Sequence, residues 1–460
     1  MNATNEGNRS SARPLESLST KLNRLSETAR REPSRQFQNI NHLITVEMLI
    51  WSFKELRKDA AAGLDGVTTQ DYEKNLRPNI LDLHNKLVAG QYRAQPLRRV
   101  YIEKEDGKKR PLSIPALDDK IVQRAATELL TRIYERDFLN CSYGYRPKRG
   151  AHDALDAINR DIIFGKANFI LDADISDYFG SIVRSKLIKM LQKRIADKHL
   201  LRLIGKWLNV GVIEDGRLLL MENGTYQGSI ISPVLANIYL HEVLDLWFEN
   251  EVKPRMRGEV KLYRYADDFI ATFQFKNDAD RFMQVLTKRF EKFGLRLHPE
   301  KTRLIEFGRR AWEKSKKIRK KPETFNFLGF THYCGTTRKG KFSVKVKTMT
   351  KRLSRGLSRV KGLCQSRRHH ELREQYERLR SVLHGHYNYY GRKSNFRSLV
   401  QFYEAVRSLW KKWLSRRGRH GNVPWKKMEK ILERFALPKP RITQGNLGSR
   451  SQIPLCGEFS

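Results

Sequence analysis

Apolar and polar residues alternate along several short stretches of the chain, as they do in β-strands. In residues 169–175, apolar residues at every second position enclose Asp172 and Asp174, which predicts a strand with one apolar and one acidic face. Residues 262–273 predict a hairpin that carries Asp267 and Asp268 at its tip. Further short strands are predicted within residues 97–114, 295–307 and 323–335.

Apolar residues at steps of three and four predict helices elsewhere. Residues 42–60 are amphipathic, Thr68 is placed to cap a helix that runs to Leu87, and another helix is predicted from Asp119 to Ile133. Ser232 is the predicted N-cap of a helix whose first residue is Pro233. Three apolar stripes beyond residue 345 predict three amphipathic helices that pack together. They comprise Met349, Leu353, Leu357, Val360 and Cys364, then Leu372, Tyr376, Leu379, Leu383, Tyr387 and Tyr390, then Leu399, Tyr403, Val406, Trp410 and Trp413.

The predicted strands and helices are interleaved, with hairpins between strands rather than regular strand–helix–strand repeats. This order predicts an α+β fold with a largely antiparallel sheet, followed by a helical domain. Residues 1–36 are polar and rich in Ser, Arg and Asn, so they are predicted to form a flexible basic tail.

The excess of positive charge indicates the class of partner. Lys and Arg outnumber Asp and Glu by 90 to 50, a net charge of +40. Residues 345–441 alone hold 27 basic and 6 acidic residues, which favours contacts with nucleic-acid phosphates over a merely solvated surface. A second basic run, residues 309–321, is predicted to be an exposed insertion. A membrane partner is not expected, because the sequence has neither an apolar run of membrane-spanning length nor a signal-peptide pattern.

The cysteines give information about the compartment. Cys141, Cys334, Cys364 and Cys456 are widely spaced and form no CxxC pair, which argues against a zinc knuckle or a disulfide framework. A reducing intracellular compartment, such as the cytoplasm, is therefore the expectation.

Two adjacent aspartates between apolar flanks need a physical explanation, because like charges repel and Asp is depleted in strands. A hairpin turn is one interpretation, since Asp forms local hydrogen bonds in turns. A metal site is the other. Nucleotidyl transfer uses two metal ions that prefer oxygen ligands, so it needs acidic groups on adjacent strands. Asp174 on the acidic strand face and Asp267 and Asp268 at the hairpin tip meet this requirement.

Six motifs in order make the second interpretation specific. YRYADDFI resembles the YADD box of reverse transcriptases, LDADISDYF resembles the preceding acidic motif, and GTYQGSIISPVLANIYLHEVLD resembles the motif between them. KKRPLSIPALDDKIVQRA, SYGYRPKRGAHDAL and FNFLGFTHYCG match the bacterial group II intron-encoded family. The chain therefore resembles a group II intron-encoded reverse transcriptase, or intron maturase, from about Phe37 to Arg441.

The resemblance implies a right-hand polymerase, with fingers and palm on an antiparallel sheet and an α-helical thumb, the maturase or X domain. It divides the chain into the flexible tail at 1–36, an N-terminal extension and the start of the fingers at 37–95, fingers and palm at 96–340, the thumb at 341–418, and a basic nucleic-acid-binding segment at 419–460. Many members also end in an HNH endonuclease, and we expect this chain to lack one because TQGNLGSRSQIPLCGEFS cannot hold it.

The resemblance also implies roles for single residues. Asp174, Asp267 and Asp268 match the catalytic aspartates that hold two Mg²⁺ ions, with Mn²⁺ as an alternative, and Ile175 belongs to the metal and nucleotide sites. The remaining dNTP contacts are Lys104 and Arg110 on the triphosphate, Phe179 as the gate against a 2′-hydroxyl, Gln227 in the loop under the templating pair, and Lys301 near the leaving pyrophosphate. For Phe179 alone, a place in the core is an equally simple interpretation.

The implied function is that of an RNA-directed DNA polymerase of a group II intron, which also binds intron RNA as a splicing maturase and supports retrohoming. Its partners would be the intron RNA, an RNA template with a DNA primer, a DNA target and dNTPs. Two alternatives stay open: a domesticated polymerase in phage defence or DNA repair, and a maturase that only assists RNA folding. The complete set of aspartates argues against the last of these.

Overall fold

The computed structural model describes residues 17–103, 109–418 and 421–444. Its helices are α1 (Leu18–Arg31), α2 (Val46–Lys54), α3 (Thr69–Lys74), α4 (Leu76–Val88), α5 (Leu117–Tyr134), α6 (Ala151–Phe164), α7 (Tyr178–Ser181), α8 (Arg184–Gln192), α9 (Lys198–Asn209), α10 (Ser232–Leu240), α11 (Lys276–Lys292), α12 (Arg309–Ile318), α13 (Thr350–Ser366), α14 (Leu372–Tyr390), α15 (Phe396–Leu414) and α16 (Trp425–Arg434). Its strands are β1 (Leu97–Glu103), β2 (Lys109–Ile114), β3 (Phe169–Ala173), β4 (Val212–Glu214), β5 (Arg217–Leu219), β6 (Val260–Tyr265), β7 (Asp268–Phe273), β8 (Arg303–Glu306), β9 (Phe325–Phe327), β10 (Phe330–Thr336) and β11 (Phe342–Thr348).

The antiparallel sheet β6-β7-β3-β8 separates the two larger hydrophobic cores. Leu171 and Ala173 face the main core, together with buried residues of α5, α10 and α11. Ile170 faces the second core, which α6 and the strands β9–β11 complete. The prediction of one apolar and one acidic face for β3 is therefore wrong at Ile170. The face of β3 that carries Ile170 is covered by the second core at that position. This face becomes acidic only from Asp172 onward, at the end of the strand.

The other two sheets differ in strand direction. β11-β10-β9 is antiparallel, as predicted. β2-β1-β4-β5 is mixed, because β1 pairs with β4 in parallel while its other pairs are antiparallel. Leu97, Val212 and Tyr226 form a small apolar cluster beside this sheet. The α+β class is confirmed, with antiparallel and mixed sheets.

Helices α13, α14 and α15 pack the three predicted stripes into a core of their own, except for Met349, which precedes α13 and lies outside this core. Trp410 is fully buried there, and its indole N–H donates to the Gln375 side-chain oxygen at 3.0 Å. Met428 of α16 and Leu437 pack into the same core. The described residues 421–444 therefore belong to the helical domain, and the predicted boundary at residue 418 does not separate them from it.

The N-terminal prediction needs a correction. Residues 1–16 lie outside the described part of the chain, but residues 18–31 form α1 rather than a flexible tail. Leu22, Leu25 and Ala29 are buried in the main core, where α1 packs against α5. Their spacing of three and four is helical, and the many charged residues around them obscured it.

Two helices, the one after Thr68 and the one at Ser232, differ from their predictions. Thr68 caps a helix as predicted, accepting from the Asp71 N–H, but this helix ends at Lys74, and α4 begins at Leu76 after the single residue Asn75. Pro78 explains the break, since proline has no N–H for the preceding turn and its ring displaces the carbonyl four residues earlier. Ser232 is not an N-cap: its hydroxyl donates to the Tyr226 carbonyl at 2.9 Å, and Ile231 takes the cap position.

The basic run at residues 309–321 is an exposed insertion that contains α12, a helix the sequence did not predict. Among the residues that the structure describes, none of the helices is both long enough and apolar enough to cross a membrane.

Candidate active site

The strand register brings the three predicted aspartates to one edge of the central sheet. β3 pairs with β7 as far as Ala173 and Phe269, so the next residues along this register, Asp174 and Asp268, lie opposite each other. Asp267 lies in the tight turn between β6 and β7. The hairpin and the acidic strand end that the sequence predicted thus meet in space.

The backbone of this turn is strained and closely packed. Ala266, which precedes Asp267, has a φ of +57°, a left-handed conformation that alanine rarely adopts. Gly144 packs directly against it, and a side chain at Gly144 would overlap the Ala266 backbone nitrogen. Strain of this kind persists only when the surrounding structure enforces it. The position of the aspartates therefore depends on residues outside the hairpin.

Mutual repulsion and desolvation weaken the ionisation of the hairpin aspartates. The pKa of Asp268 is raised to about 7, first by desolvation and then by the charges of Asp267 and Asp174. The residue itself is exposed, so the desolvation arises from the protein atoms that surround it rather than from full burial. Desolvation also raises the pKa of Asp267, with a further contribution from Asp174. A divalent cation at this edge would offset the repulsion.

Two of the predicted residues adjoin Asp174. The Lys301 ammonium lies 2.5 Å from an Asp174 carboxylate oxygen. Ile175 is buried, and its backbone lies opposite Leu297 in an isolated antiparallel bridge. The hydrogen bonds of this bridge are made by the flanking residues, because the Asp174 carbonyl accepts from the His298 N–H. In such a pair the carbonyl of Ile175 points to the other side of the strand, which is the side of β7 and the hairpin.

The two residues that are predicted to hold the triphosphate are only partly described. Arg110 lies exposed on β2, and its charge lowers the pKa of Asp267 against the larger effect of desolvation, so it lies within electrostatic range of that carboxylate. Lys104 lies outside the described residues. Tyr145, to which the sequence assigned no role, also adjoins the site: desolvation and the charge of Asp267 raise its pKa to about 12.

Phe179 and Gln227 are held by their backbones. Phe179 is half-buried against the main core, and its carbonyl accepts from the Thr225 N–H at 2.7 Å. The Gln227 carbonyl accepts from the Ser113 N–H of β2, also at 2.7 Å. Phe179 therefore both packs and borders the loop that carries Gln227, which is compatible with either interpretation of this residue.

The carboxylate oxygens of the three aspartates are the type of ligand that a hard divalent cation prefers, but the aspartates do not surround a metal-ion position by themselves. Within residues 17–103, 109–418 and 421–444, no three His, Cys, Asp or Glu side chains converge closely enough to hold a metal ion on their own. Mg²⁺ often binds proteins through one or two carboxylates and completes its coordination with water and substrate phosphates. The carboxylates of Asp174, Asp267 and Asp268 suit that mode of binding.

A buried polar network supports the hairpin, and the sequence analysis missed it. Arg264 is fully buried beneath the turn and forms an ion pair with Asp245 at 2.5 Å. It also donates to the Ala266 carbonyl at 3.1 Å and to the Asn237 side-chain oxygen at 2.9 Å, while Asn237 donates to the Gly144 carbonyl at 2.6 Å. The sequence held one indication of this network: Arg264 has the same strand parity as Leu262 and Ala266, which places an arginine on the inward face of the strand.

Arg264→Ala should destabilise the protein strongly, because it leaves the Asp245 carboxylate buried without its partner. We expect urea unfolding to give a free energy lower by about 3–5 kcal/mol. The double variant Arg264→Met/Asp245→Leu removes both charges and should recover most of that loss. The polymerase activity of the double variant should nevertheless be low, as in the single variant, because the Ala266 carbonyl lacks its donor in both. A loss below about 1 kcal/mol in the single variant would contradict the assignment.

An antiparallel sheet with three carboxylates at one edge is compatible with the class of nucleotidyltransferases. Comparison with known families gives the particular one. Residues 102–332, half of the chain, match the family model described as reverse transcriptase (RNA-dependent DNA polymerase). The chain belongs to the reverse transcriptase family, and it is an RNA-directed DNA polymerase.

Individual relatives specify the branch of the family. The chain is 33% identical over 285 residues to protein YkfC of Escherichia coli K12, which covers 55% of the chain and 75% of that protein. It is 33% identical over 248 residues to the group II intron-encoded protein LtrA of Lactococcus lactis, covering 52% of the chain and 41% of LtrA. A 91 kDa protein in the cob intron of Schizosaccharomyces pombe is 33% identical over 238 residues, 50% of the chain and 29% of that protein. These matches confirm the predicted kinship with group II intron-encoded proteins, although the chain aligns with less than half of LtrA.

Proposed function

We propose that this protein copies RNA into DNA for a group II intron, binds the intron RNA as a splicing maturase, and supports retrohoming into a DNA target. The observation that carries the proposal is the meeting of Asp174, Asp267 and Asp268 at one sheet edge, in a chain that also holds a strongly basic helical domain. We place its action in the bacterial cytoplasm and at the nucleoid, where intron transcripts and chromosomal DNA are found.

The three-dimensional arrangement supports a right-hand description. We assign the fingers to the sheet β2-β1-β4-β5 with the helices around α5, the palm to β6-β7-β3-β8, and the thumb to α13–α16. Tyr389 and Tyr390 of α14 pack on Phe330 of β10, and the Asn395 side chain accepts from Thr348 N at 2.7 Å. These contacts tie the helical domain to the β9–β11 sheet beside the palm, so α13–α16 would border the nucleic acid that leaves the site.

The reaction is an in-line attack of a primer 3′-hydroxyl on the α-phosphate of a dNTP. Two Mg²⁺ ions held by Asp174, Asp267 and Asp268, with the Ile175 carbonyl, would activate the hydroxyl and stabilise the leaving oxygen. Arg110 is a forked cation that suits the triphosphate, and Lys104 is assigned to the same role. Lys301 is placed to donate a proton to the leaving pyrophosphate once it exchanges its contact with Asp174.

Phe179 is assigned as the gate that excludes the 2′-hydroxyl of ribonucleotides by steric contact. Phe179→Ala should therefore increase ribonucleotide incorporation relative to deoxynucleotide incorporation. The measurement is the ratio of kcat/KM for dCTP and CTP on the same primer and RNA template. Tyr178→Phe, which keeps the neighbouring aromatic ring and removes only its hydroxyl group, is the control. An unchanged ratio in Phe179→Ala would mean that this ring only packs.

The maturase role has a separate experiment. The RNA that surrounds the gene should splice at a low Mg²⁺ concentration only when the purified protein is added. Primer extension on an RNA template tests the polymerase role in the same preparation. Extension without any effect on splicing would favour a domesticated polymerase instead.

A further inference from the structure

Two backbone segments beside the assigned gate are in direct contact. The Phe179 carbonyl accepts from Thr225 N, and the Ile182 carbonyl accepts from Gly224 N, both at 2.7 Å. Gly224 has a φ of +91°, and a Cβ at this position would lie 2.9 Å from the Phe179 carbonyl oxygen. The 223–225 segment therefore lies directly against the backbone of the gate, and a shift in one must shift the other.

One side chain holds the outer side of this segment. The Arg184 guanidinium donates to the Gly224 carbonyl at 3.0 Å and to the Asn223 carbonyl at 3.2 Å. It also donates to the Asn209 side-chain oxygen at 3.3 Å and lies 5.7 Å from the centre of the Tyr226 ring. A planar guanidinium with several fixed donors restrains two carbonyls at once, which an ammonium cannot do equally well.

The contacts of Arg184 continue, through the next residues of this loop, to the residues assigned to the dNTP site. Tyr226 is buried in the small cluster with Leu97 and Val212, and its hydroxyl donates to the Val210 carbonyl. The next residue, Gln227, is bonded to β2 through Ser113, and Arg110 lies on the same strand. Arg184 thus connects the segment that holds the gate to the loop that carries Gln227.

We propose that Arg184 is a specificity-determining positioning residue: by holding the 223–225 segment against Phe179, it fixes the gate and so sets the discrimination between deoxyribonucleotides and ribonucleotides. The proposal rests on the proposed function of Phe179 as the gate. Arg184 itself does not touch the substrate in this role. It acts only through the backbone that Phe179 and residues 223–225 share.

The test is a double-mutant cycle on the discrimination ratio. We expect Arg184→Ala to reduce the ratio of kcat/KM for dCTP over CTP by about five- to tenfold, since a displacement of about 1 Å in a positioned group is felt strongly. In the Phe179→Ala background, the same change should have no further effect, because the ring through which it acts is gone. Arg184→Lys keeps the charge but restrains fewer carbonyls, so it should give an intermediate ratio, and it preserves the test if the alanine variant folds poorly.

Arg289 provides a matched control. It also donates to two backbone carbonyls, those of Val243 and Glu242, and lies over the Trp247 and Phe293 rings, and none of these contacts involves Phe179 or residues 223–225. Arg289→Ala should leave the discrimination ratio unchanged even if it lowers the melting temperature.

The outcomes separate this inference from the function on which it rests. An unchanged ratio in Phe179→Ala would remove the gate, and the role of Arg184 with it. A changed ratio in Phe179→Ala together with an unchanged ratio in Arg184→Ala would leave the gate in place and overturn only the positioning role. Independent, multiplicative effects of the two changes would also overturn it, as would an Arg289→Ala variant that behaves like Arg184→Ala.

Discussion

Asp267→Asn should abolish primer extension on an RNA template in Mg²⁺ while RNA binding stays nearly intact. The substitution keeps the shape of the side chain but removes a charge from the hairpin turn, where Asp174 raises the pKa of Asp267 and Asp267 in turn raises the pKa of Asp268. Stabilisation by a bound metal ion is worth several kcal/mol in such reactions. We therefore expect the extension rate to fall by about 10³-fold or more, since each 1.36 kcal/mol is a factor of ten.

Asp172→Asn is the matched control for this prediction. Asp172 lies on the same strand, two residues before Asp174, but it faces Arg303 at 3.8 Å, and its pKa is raised to about 6, chiefly by desolvation. Its loss should reduce extension by less than about tenfold, or roughly 1.4 kcal/mol. Stimulation of splicing should survive in Asp267→Asn, because the maturase role does not use the carboxylates. Extension at the wild-type rate in Asp267→Asn would refute the assignment of the metal site.

RNA affinity should be highly sensitive to salt, and the helical domain should carry much of that sensitivity. If six to ten cations contact RNA phosphates, affinity falls by about 10³–10⁵-fold between 50 and 200 mM salt, by analogy with duplex DNA. The apolar stripes of α13–α15 are turned into their own core, which leaves many basic residues of this domain exposed. A filter-binding titration over this salt range measures the slope of log affinity against log salt.

Neutralising four of these exposed cations is the sharpest form of the experiment. The changes to glutamine are at Lys351, Lys361, Arg373 and Lys412. Each lost contact makes the slope less steep by about 0.7–0.9, so the variant should differ from the wild-type protein by roughly 3 units. The control carries four exposed cations changed on and just after α11: Lys276, Arg281, Lys288 and Arg296. Equal slopes in the two variants would mean that the charges of the helical domain are only solvated and that the RNA is held elsewhere.

Local patterns were sufficient for much of this protein. The hairpin around Asp267 and Asp268, the strand before Asp174 and the three helices after residue 348 follow from periods of two and about 3.6 residues. The ordered motifs also identified the family, because each motif is a short contiguous run of residues. The same reasoning failed for α1, whose few apolar residues are surrounded by charged ones, and for Ser232, whose hydroxyl bonds a carbonyl six residues away rather than capping its helix.

What the sequence by itself determined was which residues carry charge, which segments alternate and in what order the motifs occur. Only the tertiary structure decided how the aspartates are supported, since Arg264 reaches Asp245 and Asn237 on one helical stretch and Ser142 on a second segment. It also decided that Arg184 restrains a segment about 40 residues further along the chain, next to Phe179. Such contacts join residues that are distant in the chain, and a local period contains no information about them. For Arg264 the physical reason is burial, because a buried guanidinium must find acceptors wherever the fold brings them.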